Sequence, residues 1–163
     1  MTRLYADLQV SPPRLQLPRA LLGGLAVGTF DLVFACTWWA VAASVPPVRI
    51  FQSIAAGVYG DASFDGGLRT AAVGIGAHYF IAACMVLAYA LVASRSPSLM
   101  RRPWRWGPVY GLCLYAAMNC VIVPLSAAGP SPIRLTAWTV ASIVVHVAIG
   151  IACAFIARSA LRD

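Results

Sequence analysis

The chain has 163 residues, of which 61% are hydrophobic and 10% charged, with a mean hydropathy of +0.80. A soluble domain carries about 25% charged residues, so a water-soluble fold is excluded. The net charge of +7 comes entirely from arginine, there being no lysine, and these arginines flank apolar runs and form no stripe or patch with interleaved aromatics, which argues against nucleic acid as a partner.

In chain order, the stretch Met1 to Pro18 holds Pro12, Pro13 and Pro18 and shows no sustained period, which predicts an extended tail. A spanning helix needs about 20 apolar residues, and the first window that qualifies runs from Ala20 to Ser44. Ala40-Val41-Ala42 imitates a signal-peptidase site, yet the run before it is longer than a secretory h-region and is interrupted by Asp31 and Trp38-Trp39. A retained helix is expected. The loop from Pro46 to Arg69 carries Ile50, Phe51, Ile54 and Val58 at helical spacing, predicting a short helix over Ile50 to Tyr59 in the outer interface. Asp61 to Gly66 imitates the start of a calcium loop, but the position of the closing glutamate falls on Ala72 and Ser63 stands where a carboxylate or amide belongs. A capped turn accounts for these residues.

The other windows are Thr70 to Ala93, Gly107 to Ala127 and Thr136 to Ala157. The expected architecture is therefore all-α, a single membrane domain built as a four-helix up-and-down bundle in a lipid bilayer. Arg95, Arg101, Arg102 and Arg105 crowd the loop after the second window, and Arg3, Arg14, Arg19, Arg158 and Arg162 lie toward the two ends of the chain, so the positive-inside rule puts that loop and both termini in the cytoplasm. Trp104, Trp106 and Trp138 fall at span ends, where indoles prefer the interface. Cys36, Cys84, Cys113, Cys120 and Cys153 all lie in apolar segments without paired spacing and read as small buried hydrophobes.

Each window holds one strongly polar residue: Asp31, His78, Asn119 and His146. A carboxylate at a helix centre in lipid costs roughly 2.5 to 3.5 kcal/mol even on lenient insertion scales, so such residues belong against protein, water or a ligand. Helical spacing sets each on a stripe of small residues, for example Gly24, Gly28, Asp31 and Ala35, or Ser142, His146, Gly150 and Cys153, the pattern by which membrane helices pack closely. Counting rise per residue puts His78, Asn119 and His146 at one level with Asp31 slightly deeper, and the second and fourth helices diagonal across the bundle.

The constellation admits three readings. One is a polar pocket of Asp31, His78, Tyr115, Asn119, Ser142 and His146 that binds or conducts a small solute, ion or proton, alone, as a homo-oligomer or within a larger membrane complex. Another is b-type haem held by His78 and His146 on opposed parallel helices. The last is a packing device in which these residues fix helix order. A zinc or copper site of Cys36, His78, Cys120 and His146 has suitable ligand types, but Cys120 lies about 100° around the helix from Asn119. Catalysis finds no support in the motifs: there is no glutamate, no H-E-x-x-H and no G-x-S-x-G.

The runs Gln52-Ser53-Ile54-Ala55-Ala56-Gly57-Val58-Tyr59-Gly60, Gly74-Ile75-Gly76-Ala77-His78-Tyr79-Phe80 and Met118-Asn119-Cys120-Val121-Ile122-Val123-Pro124-Leu125-Ser126 resemble those of small bacterial inner-membrane proteins with four helices, the YagU-like group. The resemblance implies a bacterial inner-membrane location and the same helix count, and carries no established activity.

Overall fold

The structure is a computed structural model that describes residues 14–130 and 134–161. The tail reading for Met1 to Pro18 falls largely outside these residues, as do Arg3, Pro12, Pro13 and Arg162. Among the described residues there is no strand. The elements are α1 (Leu17–Ala43), α2 (Pro47–Tyr59), a 3-10 turn (Gly60–Phe64), α3 (Gly67–Ala93), α4 (Pro97–Arg101), α5 (Pro103–Ala117), a π-helical turn (Met118–Ile122), α6 (Val123–Leu125) and α7 (Ala137–Ala160). Prolines open several of them: Pro47, Pro97 and Pro103 occupy the first helical position, where the missing N–H would have no intrahelical partner. The start of α7 is held instead by Thr136, whose hydroxyl accepts from the Thr139 N–H at 3.2 Å.

Among the described residues four helices are long and apolar enough to cross a membrane: Leu17–Ala43, Gly67–Ala93, the continuous run Pro103–Leu125, and Ala137–Ala160. They match the four windows in place, but three begin a turn or so earlier than the windows did. The extra turns carry Arg19, Arg69 and Arg105, which lower hydropathy without disfavouring a helix.

Helix association in lipid rests on close packing rather than on hydrophobic burial, and here it is set by glycine. A Cβ on Gly24 would lie 2.7 Å from the Ala83 Cα, and one on Gly28 would lie 2.8 Å from the Tyr79 ring, so α1 seats against α3. Between α5 and α7 the backbones themselves meet. A Cβ on Gly107 would stand 2.6 Å from the Ile151 Cα, one on Gly111 would overlap the His146 carbonyl, and one on Gly150 would overlap Gly107 and Gly111. This contact pulls α5 to the outer flank of α7 and leaves α7 touching the other three spanning helices.

The expected square arrangement is corrected on this point. The second and fourth spanning helices, α3 and α7, are not diagonal but in direct contact. Instead α5 reaches α3 through long side chains: the Tyr110 hydroxyl donates to the Met85 carbonyl at 2.7 Å, and its ring meets Tyr89 edge-on.

Tight packing fills one half of the bundle. Val86, Tyr89, Ala90, Ala93, Ile149, Cys153, Ala154, Ala157 and Ala160 form a closed core with Ala20 and Val27. Of the cysteines only Cys153 belongs to it; Cys84, Cys113 and Cys120 are exposed and Cys36 is half-buried, so the reading of all five as buried residues is corrected. Their sulfurs suit an apolar surroundings of lipid as well as one of protein.

The other half is capped by α2. This helix covers the expected Ile50–Tyr59 segment but does more than lie at the surface, because Gly74 lets its backbone press directly on α3, where a Cβ would overlap the Phe51 carbonyl. Its buried Gln52 donates to the Gly67 carbonyl at 3.1 Å, and Arg49 donates to the Phe64 carbonyl at 3.0 Å. At its far end the Gly57 carbonyl accepts from the Ala127 N–H at 3.0 Å. Thus α2 bridges from α3 to the end of α6.

Candidate functional site

Beneath α2 the helices enclose a cavity of about 370 Å³. Asp31 comes from α1, His78 from α3, Asn119 from the π turn, and Ser142 and His146 from α7, and all of them line it. So do Ser53 and Gly57 of α2 and Ser126 just past α6. The rest of the wall is mainly apolar, including Leu32, Ile54, Ile81, Met85 and Ile149, with Trp39 and Trp138 as its aromatic part.

His78 is placed by an interhelical bond. Its Nε2–H donates to the Gly28 carbonyl at 2.9 Å, a contact available because Gly28 has no side chain to hold α3 away. The same nitrogen is 3.9 Å from an Asp31 carboxylate oxygen, beyond hydrogen-bond reach. Asp31 therefore stands next to His78 in the cavity wall. Both imidazoles are near enough to interact electrostatically with the Asp31 carboxylate.

His146 is set by its own helix. Its Nδ1–H donates to the Ser142 carbonyl one turn earlier, at 2.9 Å, which fixes the tautomer and leaves the Nε2 lone pair available. Tyr115 packs its ring edge-on against that imidazole, 5.4 Å between centroids, and does not line the cavity. Its expected role as a pocket hydroxyl gives way to one of bracing His146 and, through its carbonyl, Asn119.

Asn119 lies in the π turn and donates from Nδ2 to the Tyr115 carbonyl at 2.9 Å. The turn has a cause in the sequence. Pro124 offers no N–H to the Cys120 carbonyl and its ring crowds that carbonyl; the ladder widens just before it, with Val123 N–H bonding Met118 rather than Asn119. Pro124 was the signal that a reading by helical spacing passed over. Ser53 and Gly57 were missed for another reason: they lie on α2, outside any span, whereas Ser126 sits at the very end of the third window, just past α6.

Trp138 lies at the start of α7, at the end of a span as expected. It stacks on Phe34 at 5.7 Å and packs against Trp38 and Trp39 at 5.9 and 5.3 Å, an aromatic cluster that ties the C-terminal part of α1 to the start of α7 beside the cavity.

The haem arrangement fits poorly. Opposed imidazoles need a macrocycle's width between their helices, whereas α3 and α7 touch, and the His78 Nε2 that would face iron is engaged with Gly28. The mixed cysteine–histidine site is not formed: among the described residues no three of His, Cys, Asp or Glu stand close enough together to hold a metal ion, and Cys36 and Cys120 do not line the cavity. Comparison of the chain with protein-family models, with curated proteins and with solved structures finds no match.

Proposed function

We propose that this chain is a multi-pass protein of a bacterial inner membrane, with both termini and the Arg95–Arg105 loop in the cytoplasm, and that it binds a small solute in the cavity beneath α2. The observation that carries the reading is convergence: polar residues from α1, α3, the π turn and α7 line one cavity. Residues that served packing alone would be expected to close on one another. About 370 Å³ of space between them is within the range of ligand sites, roughly 300 to 1,000 Å³.

The placement of the cavity favours binding over conduction. Its inner side meets the closed core, where Val86, Ala90, Cys153 and Ala157 leave no gap for a continuous path. Orientation follows from the arginines, which gather at the α4 end of the bundle, and puts α2 and the cavity toward the outside.

Native mass spectrometry of the gently extracted protein tests this reading, with His146→Phe as the cavity-filling variant. The expected result is a bound small molecule on the wild type and its loss from a variant of unchanged helicity. Equal retention by wild type and variant would contradict it.

A further inference from the structure

The hydrogen-bond directions around the cavity select the chemistry of its occupant. Five of the polar side chains there commit a proton to a backbone carbonyl. The His78 Nε2–H goes to Gly28 at 2.9 Å, the His146 Nδ1–H to Ser142 at 2.9 Å, and the Asn119 amide to Tyr115 at 2.9 Å. The Ser53 hydroxyl donates to Ile50 at 2.7 Å and the Ser126 hydroxyl to Val123 at 2.7 Å.

What remains for a ligand is chiefly lone pairs: Nδ1 of His78, Nε2 of His146, Oδ1 of Asn119, the serine oxygens and the Asp31 carboxylate, beside the Ser142 hydroxyl, the second Asn119 N–H and the indole N–H groups of Trp39 and Trp138. The neighbouring His78 proton does not cancel the carboxylate, since it points to Gly28 and lies 3.9 Å from the acid. Among the described residues no arginine lines the cavity. An anion would meet the Asp31 carboxylate with no cationic side chain to balance it, and a neutral apolar molecule would leave the acceptors unpaired at a cost of about 1 to 3 kcal/mol each.

We propose that the occupant is a small organic cation, an ammonium whose N–H groups face Asp31 and the free imidazole lone pairs while its apolar part lies on the cavity wall. The inference rests on the solute-binding reading above. A bare metal cation suits the site less, because hard cations take six or more oxygen ligands, whereas this cavity has one carboxylate and mainly aliphatic walls. The Trp39 and Trp138 rings add surfaces that favour organic cations over neutral ligands of equal size.

Three probes that share a phenyl ring and differ in headgroup separate the possibilities: 2-phenylethylammonium, 2-phenylethanol and 3-phenylpropanoate. Binding to the full chain in detergent is followed by tryptophan fluorescence. The expected order is cation, then alcohol, then carboxylate, with the cation at least about tenfold tighter than the alcohol, the equivalent of 1.4 kcal/mol. Asp31→Asn should bring the cation to the level of the alcohol, with unchanged helicity by circular dichroism showing that the variant is folded. Alcohol and cation binding equally would overturn the cation assignment and leave the solute site standing, as would a preference for the carboxylate. Failure of all three probes to bind would count against both.

Discussion

Where α5 crosses α7, Gly107, Gly111 and Gly150 leave room for backbone and nothing else. Gly111→Ala should therefore force the helices apart and destabilise the bundle by about 1 to 3 kcal/mol, the usual range for overpacking, seen as a lowered Tm in detergent. Gly76 offers the control, since a Cβ there meets nothing within 4 Å, and Gly76→Ala should be neutral or slightly stabilising. At His78 the expected effect is smaller. His78→Phe removes one interhelical bond to Gly28, an interaction worth about 0.6 kcal/mol on average in membrane bundles, so a thermal melt should barely move. At this scale much was legible, because the cost of burying Asp31 and the imidazoles in lipid forces them onto protein-facing stripes. The course of their protons was not: whether His146 bonds its own helix and His78 a neighbour depends on backbone carbonyls that carry no sequence signal.

Among the elements, the π turn and α2 decide the shape of the cavity. Pro124→Ala restores the missing N–H, and α5 should then continue as a regular α-helix. The residues after Asn119 would rotate by up to about 100° relative to α7, carrying Ser126 off Gly57. The expected outcome is unchanged or higher helicity by circular dichroism with weakened binding of the phenyl probe; retained binding would show that the π turn does not shape the site. The existence of α2 was legible from the spacing of Ile50, Ile54 and Val58, but its depth was not. That depends on Gly74, whose role appears only when the Phe51 carbonyl is seen against it. Likewise the diagonal placement of α3 and α7 failed because a symmetric bundle ignores how close a triple-glycine contact draws one pair of helices.

For the molecule as a whole, four apolar runs and the arginine-rich loop fix count and expected orientation, and the spans stand close to the windows that predicted them. In a cysteine-free background, Ala62→Cys in the 3-10 turn should react with an impermeant maleimide on intact cells, whereas Ser98→Cys in α4 should react only after lysis. The reverse pattern would invert the bundle. The bundle divides into a closed half toward α4 and a half that holds, under α2, a cavity on which the polar residues converge. The most direct test of that division is the reactivity of Asn119→Cys, in the same background, toward a small cationic methanethiosulfonate added outside. The account predicts fast modification at Asn119→Cys, slowed by 2-phenylethylammonium, and negligible modification at the lipid-side control Leu112→Cys. Asn119→Cys reacting no faster than Leu112→Cys, with no protection by the amine, would contradict it.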